Sequence, residues 1–362
     1  MAPAFAGTLH AGDWPMFLKD GEHSSYADDA PLPPYDVKWR FSAKGPFYSS
    51  PIVYKKKVFA GSYDKNMYAL DAGTGKVVWS FVSEDAILGT PAAFKDAVYF
   101  ATKAGKVYAL AVDTGKLIWT FDAEAGVMTS LLVVDDIVYF GAQDLYLYAV
   151  DAKSGKRLWR LRVPDTSIYS GIYSSPVYYG GSVLVSGKNG IIYSVEAKSM
   201  ARNWSKRVMA AMYSSPVVKD GVVYVSTYGK KMFALDVKTG KNVWQRELEG
   251  EFTYASPVVI NGRVYQGLKN GHIMVLDTAK GLVKGNINLG AAVDATPVGT
   301  SSGMLLAGCA DGMFYALDAA SGAVKWKFET DGAIHASPAV AGDAIYVSTV
   351  EGSLYAFTPQ KK

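Results

Sequence analysis

Read as apolar and polar positions, the chain is a succession of short alternating runs, with no stretch at the period of an amphipathic helix. Val222-Val223-Tyr224-Val225-Ser226 and Met232-Phe233-Ala234-Leu235-Asp236 are representative. Both runs are rich in β-branched and aromatic residues and predict strands. The stretch from Tyr68 to Phe81 shows the unit most plainly. Tyr68, Ala69 and Leu70 end one strand, residues 71–76 carry turn chemistry, and residues 77–81 run back as a second strand. Asp and Thr side chains in the turn can bond nearby backbone N–H groups, and Gly75 supplies the positive φ of a tight reversal.

This unit recurs. Each repeat opens on a Ser-Pro-like step: Ser50-Pro51, Thr90-Pro91, Ser130-Leu131, Ser175-Pro176, Ser215-Pro216, Ser256-Pro257, Thr296-Pro297 and Ser337-Pro338. Successive second members lie 40, 40, 45, 40, 41, 40 and 41 residues apart, the period of propeller blades. Tryptophans keep the same beat at Trp39, Trp79, Trp119, Trp159, Trp204, Trp244 and Trp326, with Lys284 where one is missing. Four short strands per period predict an all-β fold, a single eight-bladed β-propeller of four-stranded antiparallel blades. The last repeat stops after its third strand, and residues 37–41 form a fourth strand with no blade of its own. Pairing the two closes the ring and hides sheet edges. The propeller is expected to span residues 13–362, behind a flexible tail over 1–12. The third repeat is longer, with an insertion at residues 164–171, and residues 196–200 replace the usual turn of the fourth.

Composition adds limits. Apolar residues make up 49% of the chain, with 24 Tyr and 15 Phe, enough for a large strand-rich core. No run approaches the length of a transmembrane helix. The net charge is 37 − 33 = +4 with scattered lysines, which argues against nucleic acid as partner. Cys309 is the single cysteine, so no intramolecular disulfide can form. Ala4-Phe5-Ala6 has the small-x-small pattern at the edge of a cleaved secretory signal. That reading predicts a periplasmic or extracellular protein; an ordinary tail is the alternative.

Ala-Leu-Asp-x-x-Thr-Gly-Lys-x-x-Trp at residues 69–79 returns, with small changes, at 149–159, 234–244 and 316–326. It resembles the repeat of pyrroloquinoline-quinone (PQQ) enzymes and their non-enzymatic relatives. The resemblance implies that the tryptophans are structural docking residues packed between blades, with no catalytic part. It points to two branches. PQQ dehydrogenases are longer, hold calcium beside the quinone, use a catalytic Asp and commonly join adjacent cysteines; here Cys309 stands alone. BamB-like propellers match in length and blade number, are non-catalytic scaffolds of outer-membrane protein assembly, and carry a lipid-bearing cysteine that this sequence lacks.

In such a propeller the residue three before each Pro position stands at the mouth of the channel. These are Tyr48, Leu88, Met128, Tyr173, Tyr213, Tyr254, Asp294 and His335, an amphipathic collar suited to a flat or peptide-like ligand. The alternative is that the tyrosines only cover strand ends. The loop between strands two and three gives a second register: Tyr63, Lys103, Gln143, Lys188, Tyr228, Lys269, Ala310 and Val350. Its lysines either concentrate anions at the mouth or are simply solvated. Asp64, Asp144, Asp311 and Glu351 offset that field, and no loop has the dense acidic alternation of a calcium site.

Other motifs fail on context. Residues 299–303 match a serine-nucleophile pattern but fall in a hairpin and not at a strand-to-helix elbow. Residues 73–76 lack the spacing of a phosphate loop. His10, His23, His272 and His335 are too dispersed for zinc, and the sequon at Asn203 contains a docking tryptophan. No catalytic residue and no metal site are expected. The reading that follows is a non-catalytic extracytoplasmic scaffold presenting one face to a protein partner, possible partners being envelope or outer-membrane proteins. The alternatives are a quinoprotein with PQQ and calcium in the funnel, oxidising an alcohol or sugar, and a sensor of a small ligand.

Overall fold

The computed structural model describes residues 12–163, 171–249 and 253–361. Residues 1–11 of the expected 1–12 tail and residues 164–170 of the insertion lie outside them. The described residues form no α-helix and build eight four-stranded antiparallel sheets, one of which gains a short fifth strand. Blade 1 shows the plan: Ile52–Tyr54, Lys57–Gly61, Asn66–Asp71 and Val77–Val82 run from the axis outward. The three-residue first strands of successive blades are neighbours around the axis. Closure is as the pattern predicts. Tyr35–Ser42 pairs antiparallel with Ser353–Pro359, from Tyr35 opposite Pro359 to Ser42 opposite Ser353, and completes blade 8.

The joint between blades is built from one bulge, one indole and one glycine. In blade 1 the ladder of the outer strand slips between Val77 and Trp79, leaving Val78 as the extra residue. The bulge re-aims the strand, and the indole then lies over the turn of the next blade. A Cβ on Gly115 would come within 2.7 Å of the Trp79 ring, and the Trp79 indole N–H donates to the Val112 carbonyl at 2.9 Å. Trp39, Trp119, Trp159, Trp204 and Trp244 make the same donation to a carbonyl of the following blade. Trp326 instead packs edge-on to Tyr35 of the closing strand.

Blade 6 corrects the sequence register. Val275 faces Gly285, as Ala234 faces Trp244, so Gly285 and not Lys284 stands in the tryptophan place. Lys284 is the extra residue of the bulge. The repeat here is one residue longer than the 40-residue beat, so stepping by 40 from Trp244 falls one short. Ile287 substitutes in part, pressing against Gly322 of blade 7.

The segment before the closing strand is a plug. Trp14 exchanges backbone hydrogen bonds with Val53 of blade 1, and the Pro15 carbonyl accepts from Ala93 of blade 2. Gly21 and Glu22 accept from Tyr178 of blade 4 and Val218 of blade 5. Tyr26–Ala27 then pairs in parallel with Val298–Thr300 of blade 7. Trp14, Met16 and Leu18 are buried beneath the channel. The plug satisfies inner-strand N–H groups that would otherwise be an unpaired edge, and it makes the channel a cup.

Candidate functional site

The cup is lined from the floor upward by Phe17, a ring of hydroxyls and the collar, and encloses about 280 Å³. The ring comes from the Ser/Thr of each Ser-Pro step. The backbone N–H of Ser50 donates to Thr90 Oγ1, that of Thr90 to Ser130 Oγ, and so on through Ser175, Ser215, Ser256, Thr296 and Ser337 back to Ser50. The eight links measure 2.9–3.1 Å and close on themselves. The following proline explains itself physically. It has no N–H to leave unpaired at the inner edge. Where Leu131 replaces it, the Leu131 N–H bonds the Thr90 carbonyl at 3.2 Å. Each ring hydroxyl accepts one bond and keeps one proton to donate. Among the described residues none of those protons meets an acceptor, and all eight hydroxyls line the cup.

All eight residues of the first sequence register line the cup above this ring. They are distributed unevenly. Leu88 and Met128 form an apolar wall, while Asp294 and His335 form a polar pole on blades 7 and 8. Tyr213 touches Tyr173 and Tyr254 with ring centroids 5.9 and 5.5 Å apart. The second register stands just outside, held by backbone bonds such as Lys103 N–H to the Ala86 carbonyl at 2.8 Å. Tyr63 packs on Tyr48 and Tyr228 on Tyr213. Lys103 lies over Tyr63, Lys188 over Tyr173 and Tyr213, and Lys269 over Tyr254, so each of the three lysines sits on an aromatic face.

The polar pole is tightly built. Lys269 Nζ lies 2.7 Å and His335 Nδ1 3.2 Å from Asp294 Oδ2. Burial pushes the Asp294 carboxyl up, but hydrogen bonds from His335 and Lys269 outweigh it and hold the group below the usual carboxylate range. Asp294 is 9% exposed, and its Oδ1 is buried with no hydrogen-bond partner among the described residues. Among the described residues that line the cup it is the one buried side-chain polar atom without a partner.

A larger groove of about 660 Å³ lies at the opposite face between blades 8 and 1, rimmed by Lys38, Lys55, Lys56, Asp71 and Asp343. Its charges alternate, and it holds no orphaned buried side-chain atom among the described residues. The cup is therefore the candidate site. Sequence reading found its collar but missed its ring and floor. The Ser/Thr residues were visible as strand starts, yet their partners lie about 40 residues away, and Phe17 belongs to a segment without periodicity.

The profile of the family described as outer membrane protein assembly factor BamB matches residues 36–119, 83–283 and 269–361, which takes in every blade. The chain belongs to the BamB family. BamB from Moraxella catarrhalis superposes with a TM-score of 0.79 at 19% identity, covering 90% of this chain and 100% of that one. The fold is shared as fully with enzymes. A europium-containing methanol dehydrogenase gives a TM-score of 0.83 at 14% identity, over 96% of this chain and 98% of that one. A quinohemoprotein alcohol dehydrogenase from Comamonas testosteroni gives 0.80 at 14% identity, over 97% and 81%. No curated protein sequence matches this one significantly. At these identities the structural neighbours establish the propeller, and the BamB family membership rests on the sequence profile.

Proposed function

We propose that this BamB-family chain is a non-catalytic, extracytoplasmic binding propeller that presents its collar face to a protein partner, an envelope or outer-membrane protein. The observation that carries the reading is that face. Tyr48, Tyr63, Tyr228 and Tyr254 are 42–44% exposed around one rim, and Met209, in the loop that leads from the outer strand of blade 4 to Tyr213, is 82% exposed. Rigid amphipathic tyrosines and methionine are the side chains that protein interfaces favour. The chemistry in the cup supports the same reading. The lone thiol, Cys309, is buried and pushed up to about 12, far from nucleophilic use. The ring hydroxyls face backbone N–H groups and not a base.

The cup also fits calcium-assisted quinone chemistry poorly. Calcium takes six to eight oxygen ligands, whereas the wall offers one carboxylate, Asp294, with one oxygen already bonded to Lys269 and His335. Among the described residues no cluster of three or more His, Cys, Asp or Glu is arranged for a metal ion. Crosslinking in intact envelopes followed by tagged recovery tests the partner reading. It predicts a stoichiometric envelope protein whose yield falls with Tyr228→Ala/Tyr254→Ala. Recovery of no envelope protein, or undiminished recovery with the double variant, overturns it. Saturable tryptophan quenching by micromolar PQQ with calcium replaces it with the quinoprotein reading. The same titration with a broader panel tests the sensor alternative.

A further inference from the structure

The outer strands of the eight blades occupy equivalent places on the rim, so they can be compared offset by offset. Two places before the docking position, the only cations are Arg157 on blade 3 and Arg202 on blade 4; the other six blades carry Val, Leu or Asn. Three places after it, the only cations are Arg162 and Arg207, with Asp122 and Glu247 on the flanking blades. We infer that this wall docks on an anionic phospholipid surface. The propeller then stands on its rim, with the mouth of the cup facing along the membrane. This goes beyond the partner reading and does not rest on it.

The charge is local. Residues 153–207 carry ten basic and two acidic side chains, 10 − 2 = +8, so the rest of a +4 chain is 4 − 8 = −4. Five of the chain's eight arginines lie in the two strands Arg157–Arg162 and Arg202–Arg207. Arg160, turned to Glu124 and to the face of Tyr146, is the one arginine of these strands with an ion pair among the described residues. Arg157, Arg162, Arg202 and Arg207 are exposed. Like charges gathered on one wall repel, and an anionic surface turns that repulsion into attraction. Protection of a sheet edge does not account for them, because blade 1 leaves the same edge, Val77–Val82, without a charge.

Shape selects the occupant. The two offsets fall at opposite ends of a six-residue strand, about 15 Å apart. The four guanidinium groups therefore mark the corners of a patch as tall as the strand and two blades wide. A plane laid against the rim of a disc touches just such an area. Guanidinium forks suit phosphate oxygens, and Leu158, exposed between Arg157 and Trp159, can enter the headgroup layer. An acidic peptide would need a groove or a single strand to follow, whereas these arginines are divided between two blades.

Sedimentation of the full chain with phosphatidylcholine vesicles, with and without phosphatidylglycerol, tests the inference. Binding should require phosphatidylglycerol and be released by high salt. A cation held near an anionic surface is worth about fivefold, so Arg157→Gln/Arg162→Gln/Arg202→Gln/Arg207→Gln should weaken binding about a hundredfold or more. Lys238→Gln/Lys241→Gln/Lys325→Gln/Lys327→Gln removes the same charge from blades 5 and 7 and should change binding less than about threefold. All eight positions are exposed, so both variants should fold. A polarity-sensitive dye on Leu158→Cys should shift to the blue on the vesicles, and one on Val324→Cys, across the ring on blade 7, should not. Cys309 is buried and leaves the introduced thiol as the labelling site. Absent binding, binding indifferent to phosphatidylglycerol, equal losses from the two quadruple variants or a blue shift of both dyes overturns the inference. Tighter binding to poly-glutamate than to the vesicles, per accessible charge, overturns it in favour of an acidic protein.

Discussion

The indole and the glycine beneath it are the smallest unit on which this molecule depends. Trp119 lies over Gly155, where a Cβ would come within 2.7 Å of the ring, and its N–H bonds the Ala152 carbonyl at 2.9 Å. Trp119→Ala should cost about 3–5 kcal/mol in urea denaturation, from lost burial and the cavity, since the Ala152 carbonyl keeps its bond from the Tyr99 hydroxyl at 3.1 Å. The glycine has two separable reasons to be glycine. Gly155 and Gly303 both have left-handed backbones, at φ +71 and +76, but nothing lies within 4 Å of a Cβ at Gly303. Gly303→Ala should therefore cost about 1–2 kcal/mol from backbone strain alone. Gly155→Ala should cost about 1–3 kcal/mol more, because the ring must give way. Equal costs from the two variants would show that the indole contact does not set the residue. Met200 has the same left-handed backbone, φ 63, in the corresponding turn of blade 4, whose Ala197 carbonyl accepts from Trp159, so one joint does carry a side chain at this place.

Among the elements, the blades were legible and the plug was not. Hairpin turns and docking tryptophans announce themselves because each is local chemistry repeated in register. Residues 12–30 have no repeat to be compared with, and their strand of two residues, Tyr26–Ala27, exists only because the inner edge of blade 7 is there to receive it. The collar was legible for the same reason as the blades: its residues hold a fixed offset from each Pro. The hydroxyl ring was half visible, since its residues were found and its bonds, which run between blades, were not. The plug carries a pH dependence of its own. His23 is buried against Phe17, with Nδ1 2.9 Å from the Pro216 carbonyl, and burial lowers its pKa to about 4. A carbonyl only accepts, so the neutral ring carries its proton on Nδ1. The unfolded chain protonates near 6.5, so between about 6.5 and 4 it binds the proton that the folded state refuses. Stability should fall through that window by about 3 kcal/mol on acidification and be flat below it. Asp20 and Glu22, raised mainly by burial, act in the opposite sense. The test is therefore the difference between the chain and its His23→Gln variant, denatured at pH 7 and at pH 4.5. Parallel losses in the two would assign the dependence to other groups.

Across the whole molecule, stability depends on closure. The seam between blades 8 and 1 is fastened outside by Tyr35–Ser42 against Ser353–Pro359 and inside by Ser337 N–H to Ser50 Oγ at 2.9 Å. Trimming the chain to begin at residue 31 removes the plug and keeps the ring. Trimming to 44 also opens the seam. The first should lower the denaturation midpoint within one transition, and the second should split unfolding into more than one, as in open arrays whose repeats lean only on neighbours. A single sharp transition in the shorter form would mean that the closing strand is dispensable.

The plug also governs the order of events. A vessel with one door has no through traffic. Whatever settles on Phe17 must arrive and depart past the tyrosine rim, which is the same surface assigned to the partner. A partner docked there, as proposed, would shut the door, and a small occupant would then have to enter before it and outstay it. Its escape rate is then set by the lifetime of the complex and not by its own affinity.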